Sequence, residues 1–419
     1  MFNAIILAAE EGQKMNSAKP GFLHEVSFQP LVKWVVDATA DAKKQIVIVG
    51  DCKKEVKEFL GNSVDYVEQS GTEQAFIRAL KVIENIDDDI LVVLGNAPLI
   101  TRETIMSAYD FHKKSGASVT VFTESNDNFV KEINSGICFF NAKDLLFALD
   151  LIESRKFQSE CYLSDICKIL AEKGFKTETF VVNDANEVFV INDRLQLAEA
   201  QRIMQNRIVK SHMLNGVTFI SPETAFVGKN VKIGNDTVIM PNTIIKGNTT
   251  IGTNCLIGPN TQITDCEVLN DVEINSSVLI ESSVDSNTKI GPFAYIRPHC
   301  KIGKNIKIGD FVEIKNATID DGTKVSHLTY VGDADVGKNV NFGCGTILVN
   351  YDGANKHRST IEDNAFIGCN TNLVSPVNVK QSAFIAAGST ITDDVPENSL
   401  AIARARQVVK TDWKRKTKK

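Results

Sequence analysis

The chain has 419 residues, more than one compact core usually holds, so we expect two domains of unlike architecture. A formal net charge of -6 and a charged fraction of 23% exclude the basic surplus that nucleic-acid binding requires. No apolar run approaches the roughly 20 residues that span a bilayer, and residues 1–9 lack the basic start of a signal peptide. We therefore expect a cytoplasmic protein that binds neither nucleic acid nor membrane.

The first two hundred residues alternate β-branched runs with amphipathic stretches. Residues 4–9, 46–50, 90–95 and 118–123 are strand-like, and helical patterns lie between them. This alternation predicts a Rossmann-like α/β domain over residues 1–196, with ligands at the carboxyl ends of its parallel strands. The next residues, 197–216, carry apolar side chains on one helical face and predict a linker helix.

From residue 217 the apolar period changes to six. Val227, Ile233, Ile239, Ile245, Ile251, Ile257 and Ile263 hold one register. A second series comprises Val272, Val278, Val284, Ile290, Ile296, Ile302, Ile308 and Ile314, and a third comprises Ile361, Ile367, Leu373, Val379, Ile385 and Ile391. A hexapeptide repeat with glycine or asparagine at its corners predicts an all-β left-handed parallel β-helix over residues 217–404. A basic tail, 405–419, follows.

The period of six breaks between Phe342 and Ile361, where the insertion Asn350-Tyr-Asp-Gly-Ala-Asn-Lys356 predicts an external loop on the binding face. His327 lies two residues past repeat position Val325, off the buried row, and histidine is suited to accept a proton near neutral pH. A solvated or structural histidine fits the same position. Arg297 and Lys315 suit a sugar phosphate, although ordinary surface charge explains them equally well.

Several motifs around this break carry a resemblance. They are Gly291-Pro-Phe-Ala-Tyr-Ile-Arg-Pro298, Phe311-Val-Glu-Ile-Lys315, Ser326-His-Leu-Thr-Tyr-Val-Gly-Asp333, Asn341-Phe-Gly-Cys-Gly-Thr346, Asn350-Tyr-Asp-Gly-Ala-Asn-Lys356 and Ile385-Ala-Ala-Gly388. Together they resemble the acetyltransferase domain of the bifunctional N-acetylglucosamine-1-phosphate uridyltransferase/glucosamine-1-phosphate N-acetyltransferase family. The resemblance implies acetyl transfer from acetyl-CoA to glucosamine 1-phosphate, on the route to UDP-N-acetylglucosamine, by a homotrimer.

The resemblance also implies site residues. His327 is the expected base. The expected contacts to glucosamine 1-phosphate are Arg297, Lys315, Tyr330, Asn341 and Lys356. The expected contacts to acetyl-CoA are Asn350, Tyr351, Cys369, Ala387 and Arg404. Cys369 stands where the family usually has serine, which keeps the size but weakens hydrogen bonding, so we expect altered affinity rather than lost activity.

The amino-terminal domain departs from the family pattern. The family's opening motif resembles Leu-Ala-Ala-Gly-x-Gly-Thr-Arg-Met followed by Pro-Lys, whereas this chain reads Leu7-Ala-Ala-Glu-Glu-Gly-Gln-Lys-Met15 and then Pro20-Gly21. Glu10 and Glu11 oppose phosphate binding, and Gly21 removes a cation. Glu73 stands where glycine accommodates uracil, and Asn96 stands at the usual magnesium-binding aspartate, while its partner Asn192 remains.

These changes predict a degenerate uridyltransferase site, with magnesium required only if that domain is active. Its positions are Glu10, Glu11, Lys14, Gly21, Gln69, Gly71, Thr72, Glu73, Gly136 and Glu160, with Asn96 and Asn192 as the doubtful metal pair. Three alternatives stay open. One is an intact bifunctional enzyme that also makes UDP-N-acetylglucosamine from UTP, another is a non-catalytic scaffold that binds a sugar nucleotide, and the third is an acyltransferase for another amino sugar.

Overall fold

The structure is a computed structural model that describes residues 1–9, 15–50, 53–68, 72–83, 87–124, 136–154 and 163–415. It divides into two compact units, Met1–Gln205 and Asn206–Lys419. No helix in these ranges is both long and apolar enough to cross a membrane.

The first unit is built on a seven-stranded sheet. The strands of this unit, in chain order, are β1 (Phe2–Ala8), β2 (Glu25–Val26), β3 (Gln29–Pro30), β4 (Gln45–Val49), β5 (Asp65–Glu68), β6 (Asp89–Leu94), β7 (Val119–Thr123), β8 (Cys138–Phe140) and β9 (Thr177–Val181). Strands β2 and β3 form a separate hairpin, and the other seven form the large sheet. The order in the large sheet is β5-β4-β1-β6-β8-β7-β9, and only β8 runs antiparallel to its neighbours. The predicted α/β domain is confirmed.

Helices cover both faces of this sheet. They are α1 (Leu31–Ala38), α2 (Lys53–Leu60), α3 (Thr72–Val82), α4 (Arg102–Ser115), α5 (Ala142–Ser154) and α6 (Leu163–Glu172), with 3-10 turns at Gly21–Leu23 and Ala185–Val188. Their apolar faces form one core on each side of the sheet. Helix α4 shows how the local sequence sets the ends. Thr101 caps its start by accepting a hydrogen bond from the Thr104 N–H, and Gly116 ends it in the left-handed conformation.

Helix α7 (Arg194–Leu214) spans the boundary between the two units, and a 3-10 turn at Pro222–Thr224 follows. Beyond it the chain winds into a left-handed β-helix in which most coils supply three strands. One strand of each coil joins an eleven-stranded sheet composed of Thr218–Phe219, Val238–Ile239, Leu256–Ile257, Glu273–Ile274, Lys289–Ile290, Lys307–Asp310, Lys324–His327, Asn341–Phe342, Phe366–Ile367, Phe384–Ile385 and Leu400–Ala401.

The other strands join a seventeen-stranded sheet. They are Phe226–Val227, Lys232–Ile233, Ile244–Lys246, Thr250–Ile251, Gln262–Thr264, Glu267–Val268, Val278–Ile280, Ser283–Val284, Tyr295–Ile296, Lys301–Ile302, Glu313–Ile319, Tyr330–Val336, Ile347–Val349, Ser359–Ile361, Asn372–Val374, Asn378–Val379 and Thr390–Ile391. All pairings within the two sheets are parallel, for example Ile245 beside Ile263. The predicted β-helix is confirmed.

Aliphatic side chains fill the interior of the β-helix as one continuous core. The first and third predicted series point inward, with Ile233 partly exposed. The second series is wrong at Val278, which is partly exposed, because Ile274 and Leu279 take the inward positions of those coils. Two corners there are one residue shorter than the repeat predicts. Asparagine and aspartate with positive φ occupy many corners, for example Asn242 and Asn260, where bulkier residues would be strained.

The inward column generates a stability prediction. Ile263 is fully buried, so Ile263→Ala leaves a cavity and should lower the free energy of unfolding by about 2 to 5 kcal/mol. Urea unfolding of the full chain, followed by far-UV circular dichroism, measures the change. Lys232→Ala, on an exposed side chain, is the control and should leave the transition in place. Equal midpoints for the two variants would contradict this account of the core.

Candidate functional site

Positively charged side chains from successive coils gather on one face of the β-helix. The Arg297 N–H donates to the Ile314 carbonyl at 2.8 Å, which places Arg297 beside Lys315 of the next coil. The pKa of Lys315 lies below its ordinary value. The main cause is contact with the Lys356 ammonium, and the second is burial. Two ammonium groups in contact repel each other unless an anion lies between them. The face therefore suits an anionic ligand.

Tyr330 and Asn350 complete this face. The Asn350 side-chain nitrogen Nδ2 donates to the Tyr330 hydroxyl at 3.3 Å. Gly332 allows this contact, because a Cβ at that position would clash with the hydroxyl of Tyr330. The tyrosine ring thus lies over Gly332 of its own strand, and Gly332 pairs in register with Lys315.

Two carboxylates that sequence reasoning missed balance these charges. Glu313 pairs with Arg297 at 2.8 Å and raises the pKa of the guanidinium. Asp333 lies 3.7 Å from the Lys315 ammonium and is almost fully buried. The sequence does not identify Glu313 and Asp333 as partners of these cations, because each cation lies on a neighbouring coil.

His327 ends its strand in the eleven-stranded sheet, and the corner at Leu328 separates it from Tyr330. Its ring nitrogen Nδ1 lies 2.6 Å from Asp310 Oδ1, and this hydrogen bond holds the pKa of the Asp310 carboxyl below its ordinary value. A carboxylate only accepts hydrogen bonds, so Nδ1 carries the proton and Nε2 is the basic nitrogen. The histidine ring is about half exposed, at 53%. The pair forms an oriented, accessible base.

Coil stacking extends this edge of the β-helix. Val325 pairs with Phe342, Phe342 with Ile367 and Ile367 with Ile385. Each of these residues is followed two positions later by a member of one column, namely His327, Cys344, Cys369 and Ala387. Strands lie about 4.8 Å apart, so Ala387 lies roughly 14 Å along the edge from His327. Cys369 and Ala387 are exposed, and an extended ligand has a straight path beside them.

The insertion predicted from the break in the period forms an external loop. An isolated bridge between Tyr351 and Lys356 closes it, and the His357 N–H donates to the Asn350 carbonyl at 2.8 Å. Asp352 anchors the turn by accepting the Ala354 and Asn355 N–H groups. The loop thus presents the exposed Tyr351 and Lys356 side chains next to Asn350.

The remaining predicted residues of this unit, Asn341 and Arg404, lie on coils that follow His327 in the chain. Asn341 pairs in register with Lys324 on one side and Phe366 on the other, in the eleven-stranded sheet. Arg404 follows the last strand and is exposed. Most of the predicted residues therefore fall into two groups, a cationic face and a column of exposed positions running from His327 toward the C-terminal coils, whereas Asn341 lies in neither.

In the first unit the structure describes part of the predicted uridyltransferase site. Asn96 follows β6, and its side-chain nitrogen Nδ2 donates to the Ile191 carbonyl at 2.9 Å and to Asn192 Oδ1 at 3.4 Å. The Asn192 oxygen, the atom that would bind a metal, faces an amide N–H instead. Neither side chain carries negative charge. This pair does not fit a magnesium ion, which prefers carboxylate oxygens.

Two predicted glycines of this site are described. Gly21 begins the 3-10 turn Gly21–Leu23, and Gly136 adopts a positive φ where a Cβ would overlap the Leu94 side chain. Thr72 and Glu73 begin helix α3, with side chains outside the described part. The other predicted positions lie outside the described residues; they are Glu10, Glu11, Lys14, Gln69, Gly71 and Glu160. Among the described residues, no three His, Cys, Asp or Glu side chains form a metal-binding group.

Comparison with known proteins covers both units. The MobA-like NTP transferase domain matches residues 4–199, and the bacterial transferase hexapeptide repeat matches residues 230–265 and 281–316. The chain is 47% identical to the bifunctional protein GlmU of Acetivibrio thermocellus, over 98% of this chain and 96% of the relative. It is 43% identical to that of Clostridioides difficile, over 98% and 97%. This chain belongs to the family of bifunctional GlmU proteins.

Proposed function

We propose that the chain transfers an acetyl group from acetyl-CoA to the amine of glucosamine 1-phosphate, giving N-acetylglucosamine 1-phosphate on the route to UDP-N-acetylglucosamine. One observation carries the proposal. His327, oriented by Asp310, begins the exposed column that leads to Ala387 and lies one corner before the strand of Tyr330, which pairs with the strand of Lys315. A base thus stands where an amino sugar phosphate and a long coenzyme would meet.

The chemistry follows from the His327–Asp310 pair. His327 Nε2 accepts a proton from the substrate amine as the nitrogen bonds to the thioester carbonyl carbon. The carbon–sulfur bond then breaks, and the coenzyme leaves as a thiolate that takes up a proton. The Asp310 carboxylate stabilises the imidazolium through the hydrogen bond at Nδ1. His327 supplies the base, and Asp310, one coil away, supplies the charge that orients and stabilises it.

The cationic face supplies the substrate contacts in this proposal. Arg297, Lys315 and Lys356 bind the 1-phosphate, whose two negative charges relieve the repulsion between the lysines. Tyr330 and Asn341 contact the sugar. The preference for a phosphorylated amine distinguishes this function from acyl transfer to another amino sugar.

The coenzyme occupies the exposed edge in this proposal. Asn350 and Tyr351 contact it near the reacting end, and Cys369 and Ala387 line its path. Arg404 attracts a coenzyme phosphate. The thiol of Cys369 is a weaker hydrogen-bond donor than the serine of the family, which lowers coenzyme affinity without removing a catalytic group.

His327→Ala should lower turnover by at least about 100-fold, because it removes the base. Asp310→Asn should give a smaller loss, since it keeps the imidazole and removes only the charge that orients it. Release of free thiol from acetyl-CoA, with glucosamine 1-phosphate as acceptor, measures both effects. His299→Asn is the matched control, because that exposed histidine lies in the same β-helix with a positive φ that asparagine tolerates.

A second acceptor tests the substrate. Glucosamine without the phosphate should react poorly, and Arg297→Ala should affect only the phosphorylated acceptor. Native-like turnover in a correctly folded His327→Ala variant would refute the assignment of the base. An inactive native chain would refute the acetyltransferase proposal as a whole and favour the scaffold.

A homotrimer is part of the proposal, as is typical of hexapeptide-repeat proteins. Phe293 and Phe311 stack with ring centroids 5.4 Å apart, and Leu328 continues their column one residue past His327. All three are more than half exposed and sit at positive φ, an unusual placement for bulky apolar side chains. Burying this column against a second copy would bring that copy beside the base.

The native chain should sediment as three copies of its 46.0 kDa mass. Phe311→Asn keeps a side chain that suits the corner and removes the apolar contact, so it should shift the population toward smaller species and reduce acetyl transfer at low protein concentration. Sedimentation velocity measures the shift. Phe384→Asn, in the stacked and exposed pair with Phe366, is the control. A monomeric native chain with full activity would exclude the trimer.

For the first unit, similarity to bifunctional relatives over the whole chain supports an intact uridyltransferase, which is the alternative function. The Asn96–Asn192 amide pair supports the other possibility, that magnesium-dependent uridyl transfer is lost. We adopt the loss as the finer proposal, because an amide pair supplies no charge to offset that of a triphosphate. The family resemblance and the donor set thus make opposite predictions that one assay separates.

With UTP, magnesium and N-acetylglucosamine 1-phosphate, the native chain should release pyrophosphate at least about 100-fold more slowly than it transfers acetyl, because the metal ordinarily contributes several kcal/mol. Acetyl transfer by the same preparation controls for folding. Asn96→Asp should increase magnesium binding, measured by the rise in melting temperature with added metal. Magnesium-dependent release at a rate comparable to acetyl transfer would establish the bifunctional alternative.

A further inference from the structure

Asp333 is a negatively charged residue within the cluster of cationic side chains that we propose binds an anion. It lies beside Lys315, in a cluster that also includes Arg297 and Lys356, where the proposed ligand is an anion. A carboxylate 3.7 Å from a phosphate-binding ammonium competes with the phosphate for that charge. Its side chain is only 9% exposed, so solvent does little to screen it. A buried carboxylate that competes with the ligand in this way is expected to support the site in another way.

Hydrogen bonds satisfy both carboxylate oxygens of Asp333. Asn316 Nδ2, from the coil before, donates to Oδ1 at 2.6 Å. Asn350 Nδ2, from the coil after, donates to Oδ2 at 2.5 Å. The three residues form a ladder along one edge of the β-helix, and its upper end is the first residue of the external loop. Burial raises the pKa of Asp333, but these amides and the neighbouring lysines outweigh it and hold the pKa below its ordinary value.

The ladder ties the carboxylate to both halves of the proposed site. On one side Asp333 fixes Asn350, whose amide nitrogen also donates to the Tyr330 hydroxyl. On the other side Asp333 faces Lys315, and its charge works against the effect of Lys356 on that lysine. One buried group therefore orients a coenzyme-side residue and stabilises the charged form of a phosphate-side residue.

We infer that Asp333 is a positioning residue of the acetyltransferase site, holding Asn350 in place and pairing with the Lys315 ammonium that faces the phosphate of the acceptor. The inference rests on the proposed function. Asp333 contacts neither substrate in this role. It acts through Asn350 and Lys315, so its removal affects substrate affinity and the pH dependence rather than the proton transfer at His327.

The neighbouring pair Asp335 and Arg358 provides the contrast. Asp335 lies two residues further along the same strand and accepts hydrogen bonds from the Arg358 guanidinium at 2.5 and 2.6 Å. Its side chain is 51% exposed. It has the same chemistry and a comparable ion pair, but its carboxylate bonds to Arg358 and forms no hydrogen bond or ion pair with Lys315 or Asn350, both of which the structure describes. Asp335→Asn is therefore the matched control for Asp333→Asn.

Asp333→Asn should lower kcat/KM for glucosamine 1-phosphate by about 10- to 100-fold, mainly through KM, because it removes a charge-assisted contact and opposes one amide N–H with another. Asp335→Asn should stay within about threefold of the native chain, as expected for an exposed pair. Steady-state thiol release by the full chain, at varied concentrations of both substrates, measures these values.

The pH profile separates positioning from simple destabilisation. The charged groups facing Lys315 are Arg297, Asp333 and Lys356, while Asp333 also faces Arg358. Without the Asp333 charge, Lys356 and Arg297 lower the pKa of Lys315 further, so Lys315 loses its proton at lower pH. The alkaline limb of kcat/KM for glucosamine 1-phosphate should then move to lower pH in Asp333→Asn and stay in place in Asp335→Asn.

A second variant covers the case in which Asp333→Asn does not fold. Asn316→Gly removes the amide that donates to Oδ1, and glycine suits the φ of 45° at that corner. Asn316 follows Lys315 in the chain, but its side chain bonds to Asp333, so the variant should act through Asp333 and raise KM a few-fold in the same direction. In Asp333→Asn, unchanged kcat/KM and an unmoved alkaline limb would overturn the inference, and if only Asn316→Gly folds, an unchanged KM would overturn it. A native chain that folds but transfers no acetyl would instead overturn the proposed function.

Discussion

The stacking of one coil on the next is the constraint on which the site depends. Backbone hydrogen bonds fix each strand of the β-helix beside its equivalent one coil away, and an inward aliphatic residue holds each strand in register. Residues about one coil apart in the sequence thereby become neighbours. Columns of side chains along the edges result, and a functional group on one coil finds its partner at a fixed place on the next.

The two proposed catalytic arrangements are products of this stacking. Asp310 reaches His327, and Asp333 reaches Asn316 and Asn350, each across one coil step of 17 residues. In both cases a carboxylate orients a group that we propose contacts the substrate or coenzyme. Because the coils are rigid and the side chains short, little conformational freedom is left to lose on binding.

The external loop is the exception to this regularity. It leaves the β-helix after Val349 and returns at Ser359, and its shape comes from its own hydrogen bonds around Asp352. Placing Lys356 in this loop brings a second lysine to Lys315, a contact that the regular coil could not make. The positive charge that we propose binds a phosphate is thus assembled from a face of the β-helix and a turn held by its own hydrogen bonds.

The sequence by itself determined the β-helix, because a period of six among branched aliphatic residues has no other regular structure that buries it. It also placed His327 off the buried row and marked the loop. Only the tertiary structure decided the inward positions at Ile274 and Leu279, because a corner one residue shorter shifts the phase. It alone revealed Asp310, Glu313 and Asp333 as partners, since their pairing depends on coil length and side-chain direction. The hydrogen bond between Asn96 and Asn192, 96 residues apart, likewise exists only once the sheet has formed.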